Sequence, residues 1–193
     1  MSNPGKHRWS ETKARLRAFD RADLLALVGE LYGASGENRR FLHARLLGSG
    51  SEIERYRRLI TDAVYPDPFR KRPIRVGEAK RLIREYSRAT DDATGTIDLR
   101  LTFIEAGTEQ AADLGYGEDS YFASLASTLD DVEKRIGDLP PLVQQEVSER
   151  LTRIAKRAAV IGWGYGDYTS DVAARLFKRL NRRTQLRKPS GLA

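Results

Sequence analysis

Apolar residues recur every three to four positions along almost the whole chain, and polar or charged residues fill the positions between them. This period matches the 3.6 residues per turn of an α-helix, so that each segment can bury one stripe and leave its other side in water. In the segment 20–33, for example, Leu24, Leu27, Val28 and Leu31 fall on one side. No stretch alternates strictly between apolar and polar residues, as a half-buried β-strand does. The pattern therefore predicts an all-α fold.

Capping residues, glycines and prolines divide this pattern into segments. Asp20 precedes Asp23 by three positions, which is related to a capping box at a helix start. Pro66, Pro68 and Pro73 form the clearest internal linker, because proline cannot continue a helix. The predicted helices cover approximately 11–18, 20–33, 37–47, 51–64, 75–89, 94–111, 121–136, 141–161 and 167–180.

One short motif occurs twice, as Gly115-Tyr116-Gly117-Glu118 and Gly164-Tyr165-Gly166-Asp167, each time between two predicted helices. Its glycines suit a left-handed helix C-cap, and its acid suits the positive end of the next helix. Stacked helical hairpins would produce such a repeat. We therefore predict one all-α domain over residues 20–181, with about seven or eight helices stacked as antiparallel hairpins in an α-solenoid-like array or an irregular bundle. Residues 1–19 form a basic N-terminal arm with a short helix, and residues 182–193 form a basic C-terminal tail.

Composition narrows the possible classes of protein. A chain of 193 residues is long enough to bury a core. The absence of cysteine excludes disulfides, thiolate nucleophiles and cysteine-based metal sites. No apolar run approaches the roughly 20 residues that span a bilayer, and the first residues lack the apolar centre of a secretory signal. We therefore expect a cytoplasmic protein that has no membrane partner.

The net charge of +7 is concentrated at the two ends. Residues 1–17 hold five basic residues and one acid, and residues 175–193 hold seven basic residues and no acid. The intervening 22 basic and 26 acidic residues make the body mildly acidic, which argues against a uniformly basic binding surface. A nucleic acid could still contact a local patch, in which a stacking aromatic accompanies basic groups. The candidate contacts are Phe69, Arg70, Lys71, Arg72, Arg75, Arg179, Arg182 and Arg183.

The residues that could carry chemistry give weak signals. His7 and His43 are isolated, so neither a metalloprotease motif nor a catalytic triad can be assembled around them. A stripe of four acids could bind a divalent cation, but a solvated face, or pairing with arginines of the preceding helix, is the favoured interpretation. The acids are Asp98, Glu105, Glu109 and Asp113, and the arginines are Arg81, Arg84 and Arg88.

The segment Gly162-x-Gly164-x-Gly166 is spaced like part of a phosphate-binding loop, but that loop requires a preceding strand. A helix C-cap and a tight turn explain these glycines without a ligand. The neighbouring aromatics form either a packing corner or an interaction site. They are Trp163, Tyr165 and Tyr168, together with Tyr116 in the other copy of the motif.

Several of these segments together resemble an uncharacterised bacterial family, domain of unknown function 6155. The resemblance covers about residues 20–178, and its most specific element is Ile161-Gly162-Trp163-Gly164-Tyr165-Gly166-Asp167. It implies an all-helical fold and carries over no catalytic residues. The other matching segments are Leu24-Leu25 to Tyr32, Asn38-Arg39-Arg40-Phe41-Leu42, Tyr56-Arg57-Arg58-Leu59-Ile60 and Ala79-Lys80 to Tyr86.

We therefore expect a non-catalytic helical interaction module or adaptor whose partner is another protein. The alternative is a nucleic-acid-associated protein that uses the 69–75 patch and the basic termini. An enzyme ranks third, because no nucleophile, metal site or cofactor loop stands out. The sequence predicts no catalytic residue, no metal site and no cofactor.

Overall fold

The structure, a computed structural model, describes residues 9–47, 50–70, 72–115, 117–162 and 164–186; for residue 51 and residues 181–186 only the backbone is described. These ranges contain nine α-helices and no strand. The helices are α1 (Trp9–Leu16), α2 (Arg21–Ala34), α3 (Gly36–Leu46), α4 (Gly50–Val64), α5 (Val76–Ala89), α6 (Ala93–Leu114), α7 (Asp119–Arg135), α8 (Pro141–Ala158) and α9 (Tyr165–Leu186). The chain divides into two compact units, Met1–Leu47 and Gly48–Ala193.

In the first unit, α2 and α3 pack against each other. Asp20 caps α2 by accepting a 2.8 Å hydrogen bond from the backbone N–H of Asp23. Ser35 ends α2 and caps α3, because its hydroxyl accepts a bond from the backbone N–H of Asn38. Among the described residues of this unit, Ala44 alone is a buried apolar side chain. The described part of this unit therefore has helix caps and a pair of packed helices, but only a very small apolar core.

The second unit is a helix bundle around α6, which contacts α4, α5, α7 and α8. Helix α6 is buried on most of its circumference, as expected for a helix that is apolar on nearly all sides. Helix α9 closes the bundle against α7 and α8. The largest fully buried side chains are Tyr56, Ile60, Leu82, Ile97, Leu99, Leu101, Phe103, Ile104, Leu125, Leu129, Ile136 and Leu151.

Helix α6 begins and ends at residues that satisfy its terminal backbone groups. Asp92 accepts a 2.7 Å bond from the backbone N–H of Gly95. Gly115 adopts the left-handed conformation with φ of 64° and donates its N–H to the carbonyl of Ala111. A side chain at position 115 would be strained by this φ, which is why glycine suits the site.

The turn between α8 and α9 contains two further glycines with positive φ, Gly162 at 90° and Gly164 at 85°. It brings the start of α9 against the end of α8. A Cβ atom at Gly166 would lie 2.8 Å from the backbone carbonyl oxygen of Ala158, closer than real Cβ contacts. Only glycine fits position 166 without a shift of the backbone.

These findings confirm the all-α prediction: the described residues contain nine α-helices, slightly more than the about seven or eight expected, and the additional one, α1, lies in the N-terminal arm. Among the described residues, the principal contacts of the second unit join helices that are one or two helices apart in sequence, which fits stacked antiparallel hairpins. The structure describes two compact units that meet in sequence after Leu47, and the single domain over 20–181 stays a prediction. The two Gly-Tyr-Gly motifs also differ: Tyr165 is the first residue of α9, whereas α7 begins only at Asp119.

Candidate functional site

The acidic stripe of α6 lies against arginines of α4 and α8. Arg150 of α8 donates two parallel hydrogen bonds to the Glu105 carboxylate. They measure 2.8 Å from Nε to Oε1 and 2.5 Å from Nη2 to Oε2. Its Nη1 also donates to Asp98 Oδ1 at 2.6 Å. This fork geometry is the strongest arrangement of a guanidinium with a carboxylate. One arginine therefore joins two turns of α6 to α8.

Asp98 is shared between two helices. Its second oxygen, Oδ2, accepts a 2.6 Å bond from Nε of Arg57 on α4, which also pairs with Glu54. The hydrogen bond to Asp98 raises the pKa of Arg57. Burial disfavours the charge of Arg150, but the bonds to Glu105 and the attraction of Asp98 outweigh it, so the pKa of Arg150 is also raised. Both arginines are held in the charged state.

The acids of the stripe near the C-terminal end of α6 are also paired with an arginine of α8. Arg157 of α8 donates to Glu109 Oε2 at 2.6 Å and also pairs with Asp113. The hydroxyl of Tyr65 donates to Asp113 Oδ2 at 2.6 Å, and this bond raises the pKa of Tyr65. All four acids of the stripe therefore have cationic partners, and these come from α4 and α8.

The sequence offers arginines of the preceding helix, α5, as alternative partners for the acids. Arg81 and Arg84 lie on the exposed side of α5, while Leu82 and Ile83 on its other side are buried in the core. The buried apolar stripe of α5 and these exposed arginines therefore lie on different sides of the helix. Within the described residues no group of three or more histidines, aspartates or glutamates is arranged to hold a metal ion.

A cleft of about 230 Å³ opens where α4, α6 and α8 meet. Its apolar lining combines buried side chains with half-buried ones: Ile97, Leu101 and Val147 are buried, and Ile53 and Val143 are half-buried.

The polar rim of this cleft includes Arg57, Asp98 and Arg150. A second depression of about 240 Å³ lies further along α6 and α8, beside Glu109 and Arg157. The ion pairs that tie α6 to its neighbours thus also border both openings.

A buried carboxylate that was not among the predicted residues lies in the core. Glu85 is 1% exposed and accepts a 2.8 Å bond from the hydroxyl of Tyr56. The Tyr56 ring packs edge-on against Tyr86, with centroids 5.3 Å apart. A signal was present, since Glu85 falls three positions after Leu82 and four before Ala89, inside the apolar stripe of α5.

The predicted basic patch is partly compensated by nearby acids. Phe69 is 94% exposed. Arg72 and Arg75 contact Asp62 at 3.4 and 3.1 Å, and Arg70 contacts Asp67 at 3.3 Å. Lys71 lies outside the described residues. The patch therefore presents an exposed ring beside guanidinium groups that already have acidic neighbours.

The predicted basic contacts near the C-terminus are also partly engaged in contacts within the protein and partly outside the described residues. Arg179 donates from Nη2 to the backbone carbonyl of Glu133 at 2.8 Å, and Arg175 pairs with the Glu133 carboxylate at 3.0 Å. The backbone of Arg182 and Arg183 belongs to α9, but their side chains lie outside the described part of the structure. The observed contacts fasten α9 to α7.

Among the aromatic candidates, Tyr165 is part of the core. It is 6% exposed, lies 5.2 Å from the ring of Phe122 between centroids, and shares a 2.8 Å hydrogen bond with the hydroxyl of Thr108. Tyr168 is half-buried and donates to Asp130. Trp163 and Tyr116 lie outside the described residues. For Tyr165 the geometry is that of a packing corner.

No family model, curated protein or solved structure matches this chain, so the resemblance to an uncharacterised family stays a prediction. In the described part of the chain no helix is both long and apolar enough to cross a membrane.

Replacing Arg150 by alanine should lower the free energy of unfolding by about 2 kcal/mol, because Asp98 and Glu105 lose their shared cation. We expect less than the roughly 3–5 kcal/mol of a wholly buried pair, since solvent screens Glu105, which is 33% exposed. Urea unfolding at pH 7 measures the change. Arg153→Ala, on the same helix but exposed and without an ion pair among the described residues, is the control and should leave stability unchanged. Equal losses in the two variants would contradict the role given to Arg150.

Stability should fall at alkaline pH through Tyr165. Burial raises the pKa of Tyr165 to about 12 from the ordinary 10.0. The stabilisation is complete below pH 10, where both folded and unfolded phenols are protonated, and is lost as pH rises through about 12.

Tyr165→Phe removes this ionisation along with the bond to Thr108. It should cost about 1 kcal/mol at pH 7 and make the decline between pH 10 and 12 shallower. Urea unfolding of both proteins at several pH values tests this expectation, and identical slopes would refute it.

Proposed function

We propose that this chain is a cytoplasmic, non-catalytic helical interaction module that binds another protein through the cleft between α4, α6 and α8. The observation that supports this proposal is the combination, in one opening, of an apolar floor with a charged rim held by ion pairs. Interfaces between proteins are commonly built from such an apolar centre inside a polar border.

The floor suits a side-chain anchor. Leu101 and Val147 are buried beneath the cleft, and Ile53 and Val143 are half-buried at its sides. An apolar side chain from a partner would be removed from water on several sides there, which is the environment of binding hot spots. At about 230 Å³ the cleft is smaller than the roughly 300 Å³ at which typical pockets for small molecules begin. Its size favours one or two side chains over a cofactor.

The charged side chains at the border of the cleft are held in place by ion pairs within the protein, before any partner binds. Arg57 and Arg150 are both bonded to Asp98, so their positions need not be fixed at the moment of binding. Glu146 is exposed at the same border. It could accept a basic residue next to the partner's apolar anchor. The preferred partner is therefore a segment that presents an apolar side chain beside a lysine or arginine.

Val143→Arg should prevent binding, because it places a long cation at the side of the apolar floor. The matched control is Leu142→Arg, which adds the same charge at the adjacent, 69% exposed position outside the cleft. Partners captured by affinity purification would be identified by mass spectrometry, and their dissociation constants measured by calorimetry. We expect at least a tenfold loss, about 1.4 kcal/mol, for Val143→Arg alone. A partner bound equally by both variants would contradict the cleft as the binding site.

Association with nucleic acid is the second candidate, and the exposed ring of Phe69 beside Arg70 favours it. Fluorescence anisotropy with a labelled single-stranded oligonucleotide tests it. If this candidate is correct, affinity should fall steeply between about 50 and 200 mM salt, and Arg70→Ala with Lys71→Ala should weaken it further. Absent or salt-insensitive binding would remove this candidate and leave the protein-binding proposal unaffected.

A further inference from the structure

Helix α2 presents an apolar face that its own unit leaves uncovered. At 100° per residue, five apolar side chains fall within an arc of about 120°. Between 39% and 63% of the surface of each is exposed. The five are Leu24, Leu25, Val28, Leu31 and Tyr32.

The helix pair of the first unit does not build a core of its own. In the described residues of this unit only Ala44 is a buried apolar side chain, and the bonds that join α2 to α3 are polar. These are the contact of the Tyr32 hydroxyl with His43 Nε2 at 3.0 Å and the bond from Asn38 Nδ2 to the carbonyl of Leu31 at 2.7 Å. So short an apolar helix pair gains its stability by burying its exposed face.

We propose that a second copy of this chain covers the face, so that two α2–α3 hairpins pack around a two-fold axis as a four-helix bundle. A two-fold interface uses the same patch on both subunits, and hairpins of this kind are the ordinary building blocks of four-helix bundles. Val28 lies near the middle of α2 and inside the arc, so it faces its own counterpart close to the axis. The proposal does not depend on the cleft of the second unit.

The exposed surface of the five α2 side chains is similar in size to the apolar surface that one partner contributes to a dimer interface of standard size. The five side chains expose on the order of 400–500 Å² of surface, most of it apolar, to be compared with the roughly 450 Å² of apolar surface per partner in an interface of standard size. Contact between the two α2 helices therefore supplies most of the apolar part of a stable homodimer.

The charges of this segment also favour a second copy. Residues 20–47 contain four acidic and four basic residues, so two such hairpins do not repel each other although the whole chain carries +7. On α2, Asp23 and Glu30 lie on the side opposite the apolar arc, whereas Arg21, the first residue of the helix, falls within the arc. Arg21 is therefore the one charge of α2 inside the arc, and it lies at the end of the helix, away from Val28.

The absence of native cysteine allows a direct test, because one introduced cysteine can react only with its copy in another molecule. Val28→Cys in the full chain should form a disulfide-linked dimer on mild oxidation, since residues near the axis meet the distance that a disulfide requires. Leu142→Cys is equally free to react, at a 69% exposed position of α8, and should stay monomeric on non-reducing gels.

Sedimentation equilibrium provides an independent measurement. The wild-type chain should be dimeric, and Leu25→Glu with Val28→Glu should be monomeric with an unchanged helical circular dichroism spectrum. Two results would overturn the proposal: a wild-type chain that is monomeric up to about 100 µM, or a dimer that the double variant does not dissociate. If the double variant loses helicity, cross-linking through Val28→Cys decides, and failure of that cross-link also overturns it.

Discussion

The second unit depends on how α6 is accommodated in the centre of a bundle. The helix is apolar around most of its circumference, which drives its burial against α4, α5 and α7. The remaining side carries four carboxylates, and the most buried of them, Asp98 with 17% of its side chain exposed, would be costly without a partner. Arginines from α4 and α8 remove this conflict by neutralising each carboxylate in place. The packing partners of α6 are thus chosen by charge as well as by shape.

Most of the helices could be predicted from spacing alone, because the apolar period, the prolines and the Asp20 cap are local signals. The predicted range 94–111 for α6 did not identify its cap, which is Asp92, whose carboxylate accepts a bond from the backbone N–H of Gly95. The partners in the ion pairs could not be predicted from the sequence. Arg150 lies 45 residues from Glu105, and only the folded bundle determines which arginine meets which acid.

The same limit applies to the candidate sites. Tyr165 and Phe69 are both aromatic residues near glycine or proline, yet one is buried and the other almost fully exposed. A sequence pattern cannot separate them, because the difference depends on whether a distant element, here Thr108 of α6, arrives to cover the ring. The cleft has the same origin, since its lining comes from three helices that are separated in sequence.

The lack of a side chain at Gly166 has an effect at the opposite end of α9. The helix is about 33 Å long at 1.5 Å per residue. If a methyl group at its first turn pushed it off the Ala158 carbonyl by about 10°, its last turn would swing by about 6 Å. At Arg175 and Arg179, which lie nearer the start of the helix, the same tilt would move the backbone by about 2–3 Å and disturb their contacts with Glu133 on α7. The absence of a Cβ atom at position 166 thereby fixes the direction of the α9 axis. This direction determines where the basic end of the chain leaves the second unit.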